Sequence, residues 1–300
     1  AGMPVMGSSA DAIDIASDRH RFEDFLSRLG IPQPPGSTVI TLEEALKVAQ
    51  RIGYPVLMRP SYVLGGRAME IIQTPTELIR YHKNAGDLVQ GQSVLIDKYL
   101  EGREVELDAV CDGERVLIPG IMEHIEKAGV HSGDSMAVYP GVTLTENEIS
   151  TIVDYTTRIG LGIKIKGLIN IQFVITSKSL HENESYSQES IKSNIEPEIY
   201  VLEANPRASR TIPFISKLTG VPMVYLATKI IQGKSLKELG YEGGLCKNNG
   251  LVGVKAPVFS MSKLSGVDTY LGPEMKSTGE VMGLDINLHG AITKALPAGG

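Results

Sequence analysis

The chain has 300 residues, 42% of them hydrophobic, a formal net charge of −6 and only two cysteines, Cys111 and Cys246. That much apolar material builds one large or two ordinary domains; the acidic balance excludes a general nucleic-acid binder, and two distant cysteines exclude a disulfide framework or a cysteine metal site. No apolar run is long enough to span a bilayer and no leader pattern opens the chain, so a soluble protein of the reducing cytoplasm, without a membrane partner, is expected.

The opening Ala1-Gly2 and the closing Ala298-Gly299-Gly300 have the look of a piece cut from a longer product. Val5-Met6-Gly7 is a short apolar opening, and Ser17 is expected to cap a helix carrying Phe22, Phe25, Leu26 and Leu29 on one face, ended by Gly30 and Pro32. Arg19 falls in its first turn, where a cation sits poorly against the helix dipole and an anionic ligand would explain it better than solvent. Thr41 and Glu44 form a capping box for a second helix reaching Ile52, with Leu42, Ala45, Leu46 and Ala49 buried. Pro55 to Arg59 reads as a strand ending in a cation, and Met69 to Ile72 as another. Between them lie Gly65 and Gly66, flanked by Arg59 and Arg67, in a hairpin loop whose backbone N–H groups could cover phosphates; an ordinary turn is the competing reading.

Thr74, Pro75 and Glu77 start a helix that ends near Gly86. The strand Val94 to Ile96 leads through Asp97, Lys98, Tyr99 and Leu100 into Glu104 to Val110, which alternates acidic with apolar. Exposed backbone where the strand breaks could receive an adenine against Leu100, with Glu104 on ribose hydroxyls; a plain antiparallel pair with one wet face competes. After the strand Val116 to Ile118, the polar loop Gly129 to Ser135 is richer than a connector requires, yet no Ser/His/Asp triad follows from its residues. Thr145 with Glu148 caps a further helix.

Two strands then carry the chemistry. Asn170 to Ile175 alternates, which sets Gln172 on the face opposite Ile171, Phe173 and Ile175. Ile199 to Leu202 reads as a buried strand stopped by Pro206, and Glu203 and Asn205, two apart, share a face. Paired strands would gather Gln172, Glu203 and Asn205 as three oxygen ligands with a single negative charge, a set suited to a hard ion such as Mg²⁺ that completes its shell with water and phosphate oxygens. Arg207 and Arg210 follow where those phosphates would lie; an edge strand with its acid and amide in water is the alternative. Residues 177–197, rich in Ser, Asn, Glu, Gln and Lys with few large apolar groups, are expected to form a mobile, exposed extension of this hairpin. Thr211 to Lys217, Pro222 to Gln232 and a short segment begun by Ser235 and Glu238 read as helices; from Gly250 onwards the pattern is too weak for assignment.

Taken in order, Gly7 to Asp14, Arg59 to Met69, Gly129 to Ser135, Glu203 to Arg207 and Ser277 to Gly283 resemble an ATP-grasp domain, and closely that of the carbamoyl phosphate synthetase large subunit, over nearly the whole chain. The wording of Tyr62 to Met69 and of Ile121 to Ile125 is similar to the second, carbamate-phosphorylating half of that subunit more than to the first, bicarbonate-activating half. The resemblance implies an α+β ATP-grasp fold, two lobes with the nucleotide between them. It implies an opening segment at 1–37, a small lid lobe at 38–110, a large lobe with the metal site at 111–240, and a C-terminal extension at 241–300 towards a following domain. By the same resemblance Arg19, Arg59, Gly65 and Gly66 hold ATP phosphates, and Lys98, Leu100 and Glu104 surround adenine and ribose. Gly129, Val130, His131 and Ser132 line the cleft, while Gln172, Glu203 and Asn205 bind Mg²⁺ or Mn²⁺. Arg207, with Arg210, stands beside the transferring phosphoryl group. Implied partners are the rest of the large subunit and a glutaminase small subunit, in pyrimidine and arginine biosynthesis. Rival readings are the bicarbonate-phosphorylating half, another ATP-grasp carboxylate ligase, or a nucleotide-binding module without turnover.

Overall fold

The computed structural model describes residues 6–60, 68–84, 93–176, 197–260 and 270–299. The Gly65-Gly66 loop and residues 177–196 of the polar extension lie outside these. The chain opens with α1 (Ala10–Ser17) and α2 (Arg19–Leu29). Ser9 caps the first helix, and Asp18 caps the second by accepting from the Arg21 amide, so Ser17 closes α1 and does not begin α2. Asp and Ser are comparable caps, and adjacent candidates cannot be separated by pattern alone. Gly30, at φ 62°, ends α2 in the left-handed conformation that glycine adopts without strain.

Next come β1 (Gly36–Val39), α3 (Leu42–Ile52), β2 (Val56–Pro60), β3 (Glu70–Ile72), α4 (Pro75–Asn84) and β4 (Val94–Lys98). The four strands make an antiparallel sheet in the order β1-β4-β2-β3. Its core, with Ala45, Ala49, Val56, Ile72, Leu78 and Ile96, is separate from the cores of the rest of the chain.

The larger sheet takes β5 (Arg103–Asp112), β6 (Val116–Ile118), β7 (Ile121–Lys127), β8 (Ala137–Tyr139), β9 (Lys166–Thr176), β10 (Glu198–Asn205), β11 (Gly244–Leu245), β12 (Val252–Val258) and β13 (Gly279–Asp285). Its main path is β10-β9-β5-β7-β8-β12-β13, antiparallel at each step, with β6 joining β5 to the short parallel β11. On one face α1, α2 and α5 (Glu146–Gly162) pack over Val105, Leu107, Ala109 and Phe173. On the other, α6 (Ile212–Thr219) and α7 (Met223–Ile231) cover Val110, Leu117 and Met122, and α8 (Leu288–Gly299) closes over β12 and β13. No single helix among the described residues is long and apolar enough to cross a membrane.

This is the expected α+β architecture, with three differences of detail. Strand pairing passes from the small sheet to the large one between Lys98 and Arg103, so β5 lies in the larger lobe and not within a 38–110 unit. Residues 241–300 are no appendage, because β12 runs between β8 and β13 inside the large sheet. Ser235 and Glu238 exchange the hydrogen bonds of a capping box, but the chain there turns without becoming a helix.

Candidate active site

Between the two sheets lies a cleft of about 380 Å³. Its apolar end is formed by Leu57 and Met69 of the small lobe and Leu202 of the large one, with Leu100 buried beneath against Val174 and Tyr200. Lys98, the last residue of β4, donates to the carbonyls of Gly53 and Tyr54 at 3.1 and 3.0 Å. Burial holds its ammonium below the usual lysine range. Gly129, Val130, His131 and Ser132 form the opposite wall. Gly129 sits at φ 106°, where a Cβ would run into the Tyr99 ring, so a residue with a side chain would close this end of the cleft.

At the polar end the register of β9 and β10 brings the expected ligands together. Glu203 stands directly opposite Gln172, and Asn205 opposite Asn170, with a bulge between Val201 and Glu203 that re-aims the strand end. The Asn205 amide donates to Glu203 Oε1 at 2.8 Å, and the Gln172 amide to Ser132 Oγ at 3.2 Å. Among the described residues no group of three or more His, Cys, Asp or Glu gathers as a metal site. One carboxylate and two amide oxygens therefore fit a hard divalent ion that shares its shell with phosphate, and do not fit a soft ion or a calcium cage.

Arg59, at the end of β2, spans the two lobes. Its Nη2 lies 3.2 Å from Asp97 Oδ2 and its Nη1 3.6 Å from Glu203 Oε2. Arg19 does not line the cleft: it donates at 2.8 Å to Asp97 Oδ1 and at 3.1 Å to the Pro34 carbonyl. It therefore reaches the polar end of the cleft through the Asp97 carboxylate it shares with Arg59.

A second cavity of about 230 Å³ continues from the first, since His131, Ser132, Gln172 and Arg207 line both. Three cations edge it: Arg207, Arg210 and Lys255. Arg210 donates to the Gly133 carbonyl and to Ser277 Oγ, each at 2.9 Å, and Ser277 is itself fixed by the buried Asp134 carboxylate. Lys255, on β12 and almost fully buried, donates to the Ser132 carbonyl at 2.8 Å. Glu106 and Glu280 supply the negative charge: Glu106 Oε1 lies 3.3 Å from His124 Nε2, and Glu280 Oε2 3.9 Å from Arg210 Nε.

Behind both cavities sits a buried ionic row on β5. Glu104, Glu106 and Asp108 share a face that is 3%, 2% and 0% exposed, so the alternation marks a filled polar interior and not a wet face. His124 of β7 stands between them, 3.5 Å from Glu104 and 3.3 Å from Glu106. Burial pushes the Glu104 carboxyl up to about 7 against the pull of His124. It does the same to Asp108, against hydrogen bonds from the Thr211 and Ser209 hydroxyls. Burial acts to lower His124, but its two carboxylate neighbours outweigh this and hold it above its ordinary value. The His131 imidazole is held below its usual range by burial, and its Nδ1 accepts from the Gly133 amide at 3.0 Å.

The structure thus brings Arg59, Lys98, Leu100, Glu104, Gly129 to Ser132, Gln172, Glu203, Asn205, Arg207 and Arg210 around one pair of connected cavities. It adds Asp97, Glu106, His124, Lys255 and Glu280, which sequence reasoning did not select. Glu106 and His124 could have been suspected from charge in otherwise apolar strands. Lys255 and Glu280 lie in the stretch whose periodicity carried no signal.

Comparison with known proteins fits this geometry. Residues 18–239 match the family model for the carbamoyl-phosphate synthase L chain, ATP-binding domain. The chain belongs to that family. It is 58% identical over 300 residues to the carbamoyl phosphate synthase large chain of Thermomicrobium roseum and 52% identical over 299 residues to that of a Thermoanaerobacter species. Each alignment spans 100% of this chain and 26% of the relative, so the chain covers about a quarter of their length. In fold it is similar to the biotin carboxylase of Campylobacter jejuni, with a TM-score of 0.67, 19% identity and coverage of 89% of this chain and 55% of that one. It is also similar to an N5-carboxyaminoimidazole ribonucleotide synthetase solved as an ADP complex, with a TM-score of 0.71, 13% identity and coverage of 97% and 72%. The ATP-grasp fold and membership of the carbamoyl-phosphate synthase L chain ATP-binding domain family are thereby established.

Proposed function

We propose that this ATP-binding domain is the second synthetase half, which phosphorylates carbamate to carbamoyl phosphate at the expense of ATP. In this reading adenine and ribose occupy the cleft beside Lys98, Leu100 and Glu104, and the triphosphate runs towards Arg59 and Arg207. Gly65 and Gly66 cover the phosphates. Gln172, Glu203 and Asn205 would hold Mg²⁺ or Mn²⁺, which supplies charge neutralisation on the phosphate oxygens when bound. Arg207 and Arg210 stabilise the charge that spreads over the transferring phosphoryl group, and the connected cavity keeps the acceptor in line and away from bulk water. The expected partners are the rest of the large subunit and a glutaminase small subunit in the cytoplasm, serving pyrimidine and arginine biosynthesis.

The observation that carries the reading is the second cavity, which sets the cations Arg207, Arg210 and Lys255 against the carboxylates of Glu106 and Glu280. Carbamate presents a carboxylate to the first set and N–H donors to the second. Bicarbonate, the acceptor of the rival reading, has one O–H to offer the two carboxylates. ATP synthesis from carbamoyl phosphate and ADP, measured beside bicarbonate-dependent ATP hydrolysis in the complete enzyme, separates the two. Glu203→Gln is expected to lower the ATP synthesis by about 10²-fold or more while binding of metal-free nucleotide changes little, a magnitude typical of losing one charge-stabilising group. Full activity of this variant would refute the metal role. A module without turnover would bind ATP yet fail both assays.

A further inference from the structure

We infer that Arg59 and a divalent ion compete for the Glu203 carboxylate, and that nucleotide phosphates relieve the competition, so that metal and nucleotide bind this chain tightly only together. The inference rests on the metal and phosphate roles proposed above. Asp97 is a buried carboxylate shared by two guanidinium groups, Arg19 at 2.8 Å and Arg59 at 3.2 Å. Two positive charges thus meet one negative charge. The nearby carboxylate that makes up the difference is Glu203, 3.6 Å from Arg59. Asp97 has little freedom to follow a moving arginine. The glycine at 36 leaves room only for a bare backbone, and a Cβ there would collide with the Asp97 carboxylate.

Glu203 has both oxygens engaged, Oε1 by the Asn205 amide and Oε2 by Arg59. A divalent ion on Glu203 would place a double positive charge beside a guanidinium already tied to a short-tethered partner. Like charges at such a spacing repel strongly in a half-buried cleft. Phosphate oxygens change the sign of the problem: lying between the ion and Arg59, they give each a separate anionic partner. Arg59 should therefore oppose metal binding without nucleotide and support it with nucleotide. Linkage requires the converse, that the ion raise nucleotide affinity by the same factor.

Mn²⁺ titration of the chain, followed by the electron-paramagnetic resonance amplitude of the free ion, tests this with and without a non-hydrolysable ATP analogue. Arg59→Gln is expected to bind Mn²⁺ alone at least fivefold more tightly than wild type, and at least fivefold more weakly when the analogue is saturating, within the usual range of coupling between sites. Arg59→Lys, which keeps the charge, should resemble wild type with Mn²⁺ alone. Asp97→Asn leaves Arg59 to Glu203 and should weaken binding of Mn²⁺ alone. A structural role for Arg59 would move both arms in one direction. If Arg59→Gln leaves Mn²⁺ affinity without nucleotide unchanged while wild type still binds Mn²⁺ with the analogue, the competition is refuted and the metal site stands. If wild type gains no Mn²⁺ with the analogue and Glu203→Gln matches it, the metal site itself is refuted, and this inference with it.

Discussion

Glu104, Glu106 and Asp108 occupy alternate positions of β5, a spacing that sends all three carboxylates to one face. The large sheet then closes over that face. Burial raises Glu104 and Asp108 to about 7, from ordinary values of 4.5 and 3.8, and His124 is also held above its ordinary value of 6.5. Each group therefore binds protons more readily folded than unfolded, and stability falls as pH rises through the window from about 5 to above 7. For Glu104 the difference corresponds to at most about 3 kcal/mol at 1.36 kcal/mol per pKa unit. Thermal melts from pH 5 to pH 8 should show the melting temperature falling with pH, and Glu104→Gln should flatten the slope. An unchanged slope in that variant would mean that Glu104 ionises as it does in the unfolded chain. The same residues show where sequence reading stops. Gln172, Glu203 and Asn205 were legible because strand periodicity fixes which side chains share a face, and pairing of β9 with β10 did the rest. Periodicity also placed Glu104, Glu106 and Asp108 on one face, but whether that face meets water depends on β7 and β12, far along the chain. Asp97 and Lys255 gain their significance only from partners on other elements.

At the scale of elements, helix starts carry local signals and strand partners do not. The capping boxes at Thr41/Glu44 and Thr145/Glu148 form with both reciprocal hydrogen bonds, and the helices begin where the sequence places them. In contrast β7, β8, β12 and β13 are short or lack clear alternation, and are set by the neighbours they pair with. The start of α5 serves more than its own helix. Glu148 accepts from the Thr145 amide and also pairs with Arg103 of β5, although its side chain is buried. Thr145→Ala removes one cap hydrogen bond and is expected to cost about 1 kcal/mol. Glu148→Ala also takes one carboxylate from Arg103, whose side chain is 36% exposed and keeps Glu123 and Thr143 beside it, and is expected to cost about 2 kcal/mol, a cap and a partly exposed ion pair together. Urea unfolding checks both as shifts in midpoint at unchanged slope. Equal shifts would show that Arg103 contributes nothing to holding the helix on the sheet.

For the whole molecule, the decisive feature is that the last sixty residues complete both the sheet and the site. The family model ends at residue 239, and the resemblance implies only an extension at 241–300. Yet β12 pairs β8 on one side and β13 on the other, and α8 buries Val254 and Ala256 with its own Ala291 and Ala295. Lys255 reaches from β12 to the Ser132 carbonyl and is the cation nearest the buried acids of β5 that comes from this part of the chain. A chain ending after Gly240 would leave β8, only three residues long, as an exposed edge, and would strand Glu104 and Glu106 with His124 alone. An uncovered edge and uncompensated buried charge favour association over folding. Such a truncated chain is expected to lose its single cooperative melt and to elute as aggregate in size exclusion, and ADP should not raise its melting temperature. If it instead melts cooperatively and ADP stabilises it as it does the full chain, then β12, β13 and α8 are an attached unit, and Lys255 and Glu280 have no part in holding the second cavity together.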